Sequence, residues 1–232
     1  MAEPVLQADV VQVTDLTAHV REIVLSPLDR RISYRPGQWV SVKVPVDQKP
    51  PLNRAYSMAE PEGSSGRFPL VFDRVPGGLG SAYLYSLHAG DRLSLSGPHG
   101  KFLLPEQDDK GLLLIGRYTG IVPIRCMVRA LGPTQNPAAL TVIQAAPAEN
   151  ELLYHDEFIA LEAERANFHY LPVVSSPGTE LDRVIELVSK VLTDHRDIVP
   201  MICGLKQFVR PLRGFLMDQG LDRRAIKIET YD

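Results

Sequence analysis

The chain has 232 residues, of which 44% are hydrophobic and 23% are charged, a composition typical of a globular protein with room for two domains. Its net charge of −3 and pI of about 6.1 give none of the basic character that nucleic-acid-binding proteins carry, so we expect no nucleic-acid partner. No apolar run approaches the roughly 18 residues of a membrane span, and the first residues lack a signal-peptide pattern, so we expect a cytoplasmic protein without a membrane span.

The chain contains two cysteines, Cys126 and Cys203, which lie far apart in the sequence. Free thiols are the expectation for them in the cytoplasm, where disulfides are rare. Two thiols are too few to supply the four cysteine ligands of an ordinary iron–sulfur cluster. The 6 histidines show no spacing such as His-Glu-x-x-His, so we predict no metal site.

The first hundred or so residues predict β-structure. Short runs that alternate apolar and polar residues, or are rich in β-branched residues, are separated by turn sequences such as 45–51 and 61–66. The predicted strands are 5–13, 18–25, 39–44, 54–59, 70–74 and 92–96. A short helix at 81–87 follows Gly77-Gly78. Short strands at regular spacing predict an N-terminal antiparallel β-barrel.

The pattern changes at the charged stretch 107–110, which we interpret as a linker. The predicted strands that follow are 111–115, 140–145, 168–174, 198–203 and 226–231. They alternate with predicted helices at 121–131, 151–165, 180–192 and 207–219, the second of which has Asn150 as its expected N-cap. This alternation predicts a C-terminal α/β domain with a parallel sheet. The predicted domains are therefore 1–107 and 108–232.

A first candidate site lies at 54–57, where a proline-rich loop enters a strand. The planar guanidinium of Arg54 can form two hydrogen bonds to a phosphate. Tyr56 lies on the same strand face and can stack on a flat ring, while Ser57 can donate a hydrogen bond to a ring heteroatom. The alternative is an ordinary strand with a surface arginine.

A second candidate is the glycine-rich segment 77–81, which opens the short helix. Its glycines allow backbone N–H groups to approach an anion, and a helix N-terminus favours negative charge. The alternative is a flexible hairpin tip. The sequence 97–102 forms a tight turn and by itself indicates nothing more.

In the α/β half, the strand 111–115 runs into the turn 116–123 and then into a helix. This geometry can hold a pyrophosphate outside the carboxyl end of a sheet. It is not the G-x-G-x-x-G fingerprint, because Tyr118 occupies one glycine position. Cys203 and Gly204 lie at the end of a later strand, on the sheet edge where ligands of α/β proteins bind.

Together these motifs closely resemble the ferredoxin–NADP reductase superfamily over nearly the whole chain. The segment 75–81 is especially similar to reductase components of bacterial oxygenases. The matching family motifs are Arg-x-Tyr-Ser at Arg54, Tyr56 and Ser57, the phosphate loop at Gly78, Gly80 and Ser81, Thr-Gly-Ile-x-Pro at Thr119, Gly120 and Pro123, the Cys-Gly pair at Cys203 and Gly204, and the C-terminal carboxylate and aromatic residue at Glu229 and Tyr231.

The resemblance implies bound FAD and NADH or NADPH as the co-substrate, with every motif residue above near one of the two cofactors. It implies that Ser57 hydrogen-bonds near the flavin N5 and that Tyr56 stacks on the isoalloxazine. It also implies that Cys203 packs beside the nicotinamide and that Glu229 steadies the reacting pair or relays a proton. Ser57, Cys203 and Glu229 are therefore the predicted catalytic residues.

The nucleotide half departs from the family pattern in several places. Arg117 and Tyr118 stand where members usually carry two glycines, so they either block the pyrophosphate or, in the case of Arg117, contact it. Ala145-Ala146-Pro147 replaces an arginine that many members place after the second strand, and 175–178 offers no basic partner for a 2′-phosphate. The missing arginines favour NADH over NADPH.

The leading interpretation is a flavoprotein oxidoreductase that transfers a hydride from NAD(P)H to FAD and then electrons to a separate ferredoxin, iron–sulfur or oxygenase protein. One alternative is a flavin-bearing electron-transfer subunit that no longer uses a nicotinamide nucleotide. Two others are a sensor or assembly module that lost the chemistry, and a reductase of free flavin or ferric iron. The residues do not identify the acceptor, the direction of electron flow or the oligomeric state.

Overall fold

The computed structural model describes residues 5–46, 50–106, 110–132, 138–175, 179–195 and 197–231. Residues 47–49 of the predicted turn 45–51, 107–109 of the predicted linker, and 176–178 of the segment without a basic residue lie outside the described residues. The chain forms two compact units, one of Met1–Leu104 with Arg125–Ala130 and one of Pro105–Ile124 with Leu131–Asp232. No helix of the described segments is long and apolar enough to cross a membrane.

The first unit is a six-stranded antiparallel sheet with the strand order β4-β3-β6-β1-β2-β5. Its elements are β1 (Leu6–Asp15), β2 (Val20–Pro27), β3 (Trp39–Lys43), β4 (Asn53–Ser57), β5 (Phe68–Asp73), α1 (Leu79–Ser86) and β6 (Arg92–His99). An antiparallel bridge between Met58 and Leu70 joins the two outermost strands. The sheet therefore closes on itself, and the predicted barrel is confirmed.

Alternating burial explains why these sequences form strands with one inward face. Leu6, Ala8 and Val10 of β1 are almost fully buried, and the residues between them are partly exposed. Strands of period two place alternate side chains on opposite faces. The inward residues form one core together with Ile23, Leu25, Val40, Val42, Phe68, Leu70, Leu93 and Leu95.

The second unit is a five-stranded parallel sheet with the strand order β11-β10-β7-β8-β9. Its strands are β7 (Gly111–Arg117), β8 (Leu140–Ala146), β9 (Phe168–Val174), β10 (Ile198–Gly204) and β11 (Lys227–Thr230). Its helices are α3 (His155–Glu164), α4 (Glu180–Asp194) and α5 (Lys206–Asp218), and the first four residues of α2 (Ile121–Ala130) also belong to it. The predicted α/β fold is confirmed.

The strand order places a topological switch point at β7. The chain continues from β7 to β8 on one side and later adds β10 on the other side. In open α/β sheets, ligands bind at the carboxyl ends of the strands beside such a point. The residues that follow β7 and β10 are therefore the first place to look for a nucleotide site.

One predicted helix was wrong at its start. Residues Glu149–Glu151 form a single 3₁₀ turn, and α3 begins only at His155, after Tyr154 in the left-handed region with φ of 59°. Leu152 and Leu153 are buried in the intervening segment. Asn150 therefore does not cap α3, because burying Glu151 and the two leucines interrupts the helical path.

Candidate flavin and nucleotide sites

The Arg-x-Tyr-Ser motif lies on β4, and its residues become more buried toward the end of the strand. Arg54 is exposed, Tyr56 is partly buried, and Ser57 is 5% exposed. The Tyr56 ring packs edge-on against Phe72 with centroids 5.9 Å apart. Burial raises the pKa of Tyr56 to about 12, while the nearby Arg54 lowers it. Tyr56 is thus a neutral, fixed ring at neutral pH, which suits stacking against a flat cofactor.

Gly80 brings the N-terminus of α1 against this motif. A Cβ atom at Gly80 would lie 2.7 Å from Cγ of Arg54 and 3.4 Å from the hydroxyl of Tyr56. A glycine is therefore needed for α1 to approach β4 this closely. The predicted residues Arg54, Tyr56 and Gly80 form one cradle.

Ser81 supports the loop from within. Its hydroxyl lies 3.2 Å from the carbonyl of Val75 and 3.1 Å from that of Gly78, and it accepts a hydrogen bond of 3.2 Å from the Val75 N–H. The first backbone N–H groups of a helix have no intrahelical acceptor and attract anions. The side chain of Ser81 therefore shapes the loop, and its backbone is the part available to a phosphate.

These residues fit a flavin dinucleotide. Arg54 donates one hydrogen bond of 2.9 Å to the carbonyl of Asn53. An arginine has five N–H donors, so this bond leaves others for a ligand. The exposed guanidinium, the α1 N-terminus and the Tyr56 ring supply the two kinds of contact that the cofactor requires, namely anion binding and stacking. The specific roles of Ser57, Gly78 and Ser81 remain predictions.

The turn after β7 packs against β10 without space for a side chain. Tyr118–Gly120 form a 3₁₀ turn that leads into α2. A Cβ atom at Gly120 would lie 2.3 Å from the carbonyl oxygen of Cys203. Pro123 follows in the buried first turn of α2, where proline is well accommodated. Thr119, Gly120 and Cys203 are thus brought together at the switch point.

Cys203, Glu229 and Tyr231 form a small cluster at the carboxyl ends of β10 and β11. The Cys203 thiol donates a hydrogen bond to the Tyr231 hydroxyl at 3.2 Å, and this hydroxyl donates to the carbonyl of Thr119 at 3.3 Å. Glu229 is the register partner of Cys203. The backbone N–H of Tyr231 donates to the carbonyl of Gly204 at 3.3 Å. The structure therefore places the predicted residues of this half next to one another.

Burial keeps the Cys203 thiol and the Glu229 carboxyl protonated to higher pH than usual. Cys203 is fully buried, and burial first, then the charge of Glu229, raises the pKa of its thiol. Burial also raises the pKa of Glu229. Because the thiolate is the reactive form of cysteine, Cys203 is suited to packing beside a ligand rather than to nucleophilic attack.

Arg117 and Tyr118, which replace the family's glycines, are each held by a carboxylate. The Nε atom of Arg117 donates to Oε1 of Glu180, at the start of α4. The hydroxyl of Tyr118 donates to Oε2 of Glu151 at 3.0 Å, and Glu151 is 5% exposed. Tyr118 has φ of 53°, in the region that normally favours glycine. The turn keeps a glycine-like backbone and adds two anchored side chains.

Sequence reasoning missed Glu151 and Glu180, and it did not consider Arg183, which lies near the end of β9. Arg183 donates a hydrogen bond of 3.2 Å to the carbonyl of Val174. A cation therefore lies next to Ser175, although none occurs at 175–178 itself, of which 176–178 lie outside the described residues. Arg183 sits one turn into α4, so a search of the loop alone could not find it.

Comparisons with known proteins agree with this arrangement. An oxidoreductase FAD-binding domain matches residues 7–103, and an oxidoreductase NAD-binding domain matches residues 114–213. Ferredoxin–NADP reductase B of Sorangium cellulosum is 32% identical over 243 residues, which cover 100% of this chain and 99% of the relative. The toluate 1,2-dioxygenase electron transfer component of Pseudomonas putida is 28% identical, and the match covers 87% of this chain but 60% of the relative.

Among solved structures, the Amycolatopsis cytochrome P450 reductase GcoB has a TM-score of 0.84 and 26% identity, over 100% of this chain and 71% of that protein. Ferredoxin–NADP⁺ reductase from Plasmodium falciparum has a TM-score of 0.82 and 18% identity, and it covers 98% of this chain and 96% of that protein. At that identity the second likeness supports the fold alone.

Proposed function

Because this chain belongs to the ferredoxin–NADP reductase family of FAD- and NAD-binding oxidoreductases, we propose that it passes electrons singly to a separate ferredoxin-like or oxygenase protein. Family membership makes the chain an NAD(P)H-dependent flavoprotein reductase. The proposal concerns where the electrons go next and which residues handle them. We place the reaction in the cytoplasm, where thiols such as those of Cys126 and Cys203 remain reduced.

The observation that carries the proposal is the state of the two cysteines. Cys126 and Cys203 are the only thiols in the 232 residues, and both are buried and unpaired. An ordinary iron–sulfur cluster is held by four thiolates, which two cysteines cannot supply, and the described residues contain no group of three or more His, Cys, Asp or Glu side chains that could hold a metal ion. An iron–sulfur acceptor must therefore be supplied from outside these residues.

The names of two relatives support an oxygenase-type acceptor. One is a toluate 1,2-dioxygenase electron transfer component, and another is the reductase subunit of an aromatic O-demethylase. The chain spans 60% of the first and 51% of the second, so the activity of those whole proteins is carried over here only as a proposal.

When bound, FAD would supply a group that can take up a hydride from the nicotinamide and release the two electrons one at a time. The protein supplies orientation and electrostatics. We propose that Tyr56 and Ser57 orient the flavin ring and that Arg54 with the α1 N-terminus holds its phosphates. Cys203 and Tyr231 form the wall beside the nicotinamide. Glu229, protonated to higher pH because it is partly buried, can hold a proton near the reacting groups.

The test is an anaerobic titration of the FAD-loaded protein with NADH and then NADPH, followed by addition of a purified [2Fe–2S] ferredoxin. We expect stoichiometric bleaching of the flavin by at least one nucleotide and ferredoxin reduction only when protein, nucleotide and ferredoxin are all present. The matched control replaces the ferredoxin with free flavin or a ferric chelate at the same concentration.

Two results would contradict the proposal. Faster electron transfer to free flavin or ferric chelate than to any protein acceptor would make the chain a small-molecule reductase. A flavin that bleaches with dithionite but with neither nucleotide would make it an electron-transfer subunit that receives its electrons from another protein.

A further inference from the structure

Arg117 lies at the carboxyl end of β7, where the turn into α2 begins. Its guanidinium contacts Glu180 through Nε, and about a fifth of its side chain (20%) remains exposed. The side chain of Glu180 is 10% exposed. Its second oxygen, Oε2, is buried and has no hydrogen-bond partner among the described residues. The contact is therefore a single hydrogen bond and not the two-pronged pair that arginine and carboxylate often form.

The route of Arg117 to Glu180 explains a second departure from the family pattern. Arg117 is the register partner of Ala145 on β8, and α4 begins just beyond the next strand, β9. Ala145 and Ala146 are buried and carry only a methyl group each. Because the end of β8 is small, an arginine on β7 can extend across it. The missing arginine after β8 and the extra arginine at the end of β7 therefore belong to one arrangement.

The buried carboxylate determines where the guanidinium stays. An ionised carboxylate in a buried position is strongly unfavourable without a cation, so Glu180 holds Arg117 near β8. Since Nε alone meets Glu180, the terminal nitrogens of the guanidinium are left for another acceptor. A pyrophosphate presents paired oxygens to which this planar edge can bind. The location is the carboxyl edge beside the switch point, where such a ligand is expected.

We propose that Arg117 is the cation that binds the pyrophosphate of the nicotinamide dinucleotide, and that Glu180 is the residue that positions it. The inference rests on the proposed function only in taking NADH or NADPH as the electron donor. Both nucleotides contain the same pyrophosphate, so the pair serves both equally. Arg183, near the end of β9, is the separate group through which a 2′-phosphate would be distinguished.

The experiment measures binding of NAD⁺ and NADP⁺ to the FAD-loaded protein by titration calorimetry, with no electron acceptor present. Arg117→Ala is expected to weaken both nucleotides by a similar factor, roughly tenfold to a hundredfold, since a charge-assisted contact is lost. The limiting rate of flavin reduction is expected to stay within about twofold, because Arg117 does not touch the reacting atoms.

Two replacements of Glu180 separate positioning from charge. Glu180→Ala removes the acceptor for Nε and is expected to weaken both nucleotides roughly fivefold or more, because the guanidinium loses its fixed place. Glu180→Gln keeps an acceptor and removes the compensating charge, so binding is expected to stay within about twofold or become tighter, with a steeper dependence on salt.

Matched controls are Arg224→Ala, before β11 at the opposite edge of the sheet, and Glu186→Ala, an exposed residue of α4 paired with Lys190. If a single replacement of the buried pair unfolds the protein, the double variant Arg117→Met with Glu180→Leu removes both charges together. It is expected to retain FAD and to lose nucleotide affinity as Arg117→Ala does.

Tighter binding by Arg117→Ala or by the double variant would overturn the inference and show that the pair closes the site. Unchanged binding by Glu180→Ala would overturn the positioning role. An effect on NADP⁺ alone would assign Arg117 to the 2′-phosphate instead. None of these results touches the proposed acceptor, which is tested separately by ferredoxin reduction.

Discussion

The turn that opens α1 in the first unit and the turn that follows β7 in the second both lead into a helix N-terminus, but they use different residues. The first turn keeps its glycines, and Gly80 lets the helix approach Arg54 closely. The second turn replaces two family glycines with Arg117 and Tyr118, and each is tied to a carboxylate. A glycine turn can bind an anion through its own backbone N–H groups. A turn that carries Arg117 and Tyr118 instead needs residues distant in sequence to orient those side chains.

The comparison predicts that an added side-chain atom destabilises the second turn more than the first, at the point where the second turn packs against β10. Gly120→Ala places a Cβ atom 2.3 Å from a backbone carbonyl of β10, which cannot move without breaking the sheet. We expect a loss of about 3 kcal/mol in the free energy of unfolding, measured by urea denaturation. Gly214→Ala in α5, where no atom lies within 4 Å, should instead stabilise by about 0.5–1 kcal/mol. Equal effects of the two would refute the close packing described for the turn.

In the first unit the same substitution should act on the cofactor more than on the fold. Gly80→Ala would place a Cβ atom 2.7 Å from Cγ of Arg54 and displace that side chain. We expect FAD affinity to fall about tenfold, since a charge-assisted contact is misplaced. The unfolding free energy of the apoprotein should change by less than about 1 kcal/mol, because alanine favours helix. Gly63→Ala, in open space, is the control, and unaltered FAD binding in Gly80→Ala would contradict the cradle.

The hydroxyl that anchors the second turn can be removed alone. Tyr118→Phe deletes the 3.0 Å hydrogen bond to the buried Glu151 and keeps the ring. We expect destabilisation of about 1 kcal/mol, from the shift of the urea midpoint at constant slope. Tyr83→Phe removes the same atom from a partly buried tyrosine of the first unit, whose hydroxyl forms no hydrogen bond to a described residue, and should shift the midpoint much less. Identical midpoints for the two variants would mean that Glu151 does not anchor the turn.

The smallest effect concerns pH. Burial raises the pKa of Glu229 above its usual 4.5, so the folded state binds this proton more tightly than the unfolded state. Its contribution to stability is therefore complete below pH 4.5 and is lost as pH rises through the folded pKa. Between pH 4.5 and the folded pKa, Glu229→Gln should become increasingly more stable than the wild type. Above the folded pKa this difference in stability should stay constant.

Glu186→Gln is the matched control with the opposite sign. A hydrogen bond and the charge of Lys190 lower the pKa of Glu186, so its contribution is present above pH 4.5 and is lost as pH falls. Unfolding curves of the three proteins between about pH 4 and pH 8 provide the check. A Glu229→Gln difference that stayed constant with pH would show that the carboxyl does not titrate differently in the folded state.

The parts of the molecule that the sequence could predict are those governed by neighbouring residues. Alternation in β1 and the apolar runs of β7, β8 and β10 predicted the strands, and short motifs predicted which residues lie at the strand ends. Glu180 and Glu151 were missed because they are 63 and 33 residues away from the side chains they hold. Such pairings depend on strand order, which local patterns do not encode. The prediction of where α3 starts failed for the same reason, since Glu151 is buried against Tyr118, which is distant in sequence.

The bridge between Met58 and Leu70 bears on how reliably the flavin motif can form. In a strand, a slip of one residue turns every side chain to the opposite face. For β4 such a slip would move Tyr56 and Ser57 to the opposite faces. β3 fixes one side of β4 by pairing Val40 with Tyr56, and the bridge to β5 fixes the chain immediately after Ser57. In the closed barrel, β4 can therefore pair in only one register. The closure also leaves no open sheet edge at this point to which another chain could add a strand.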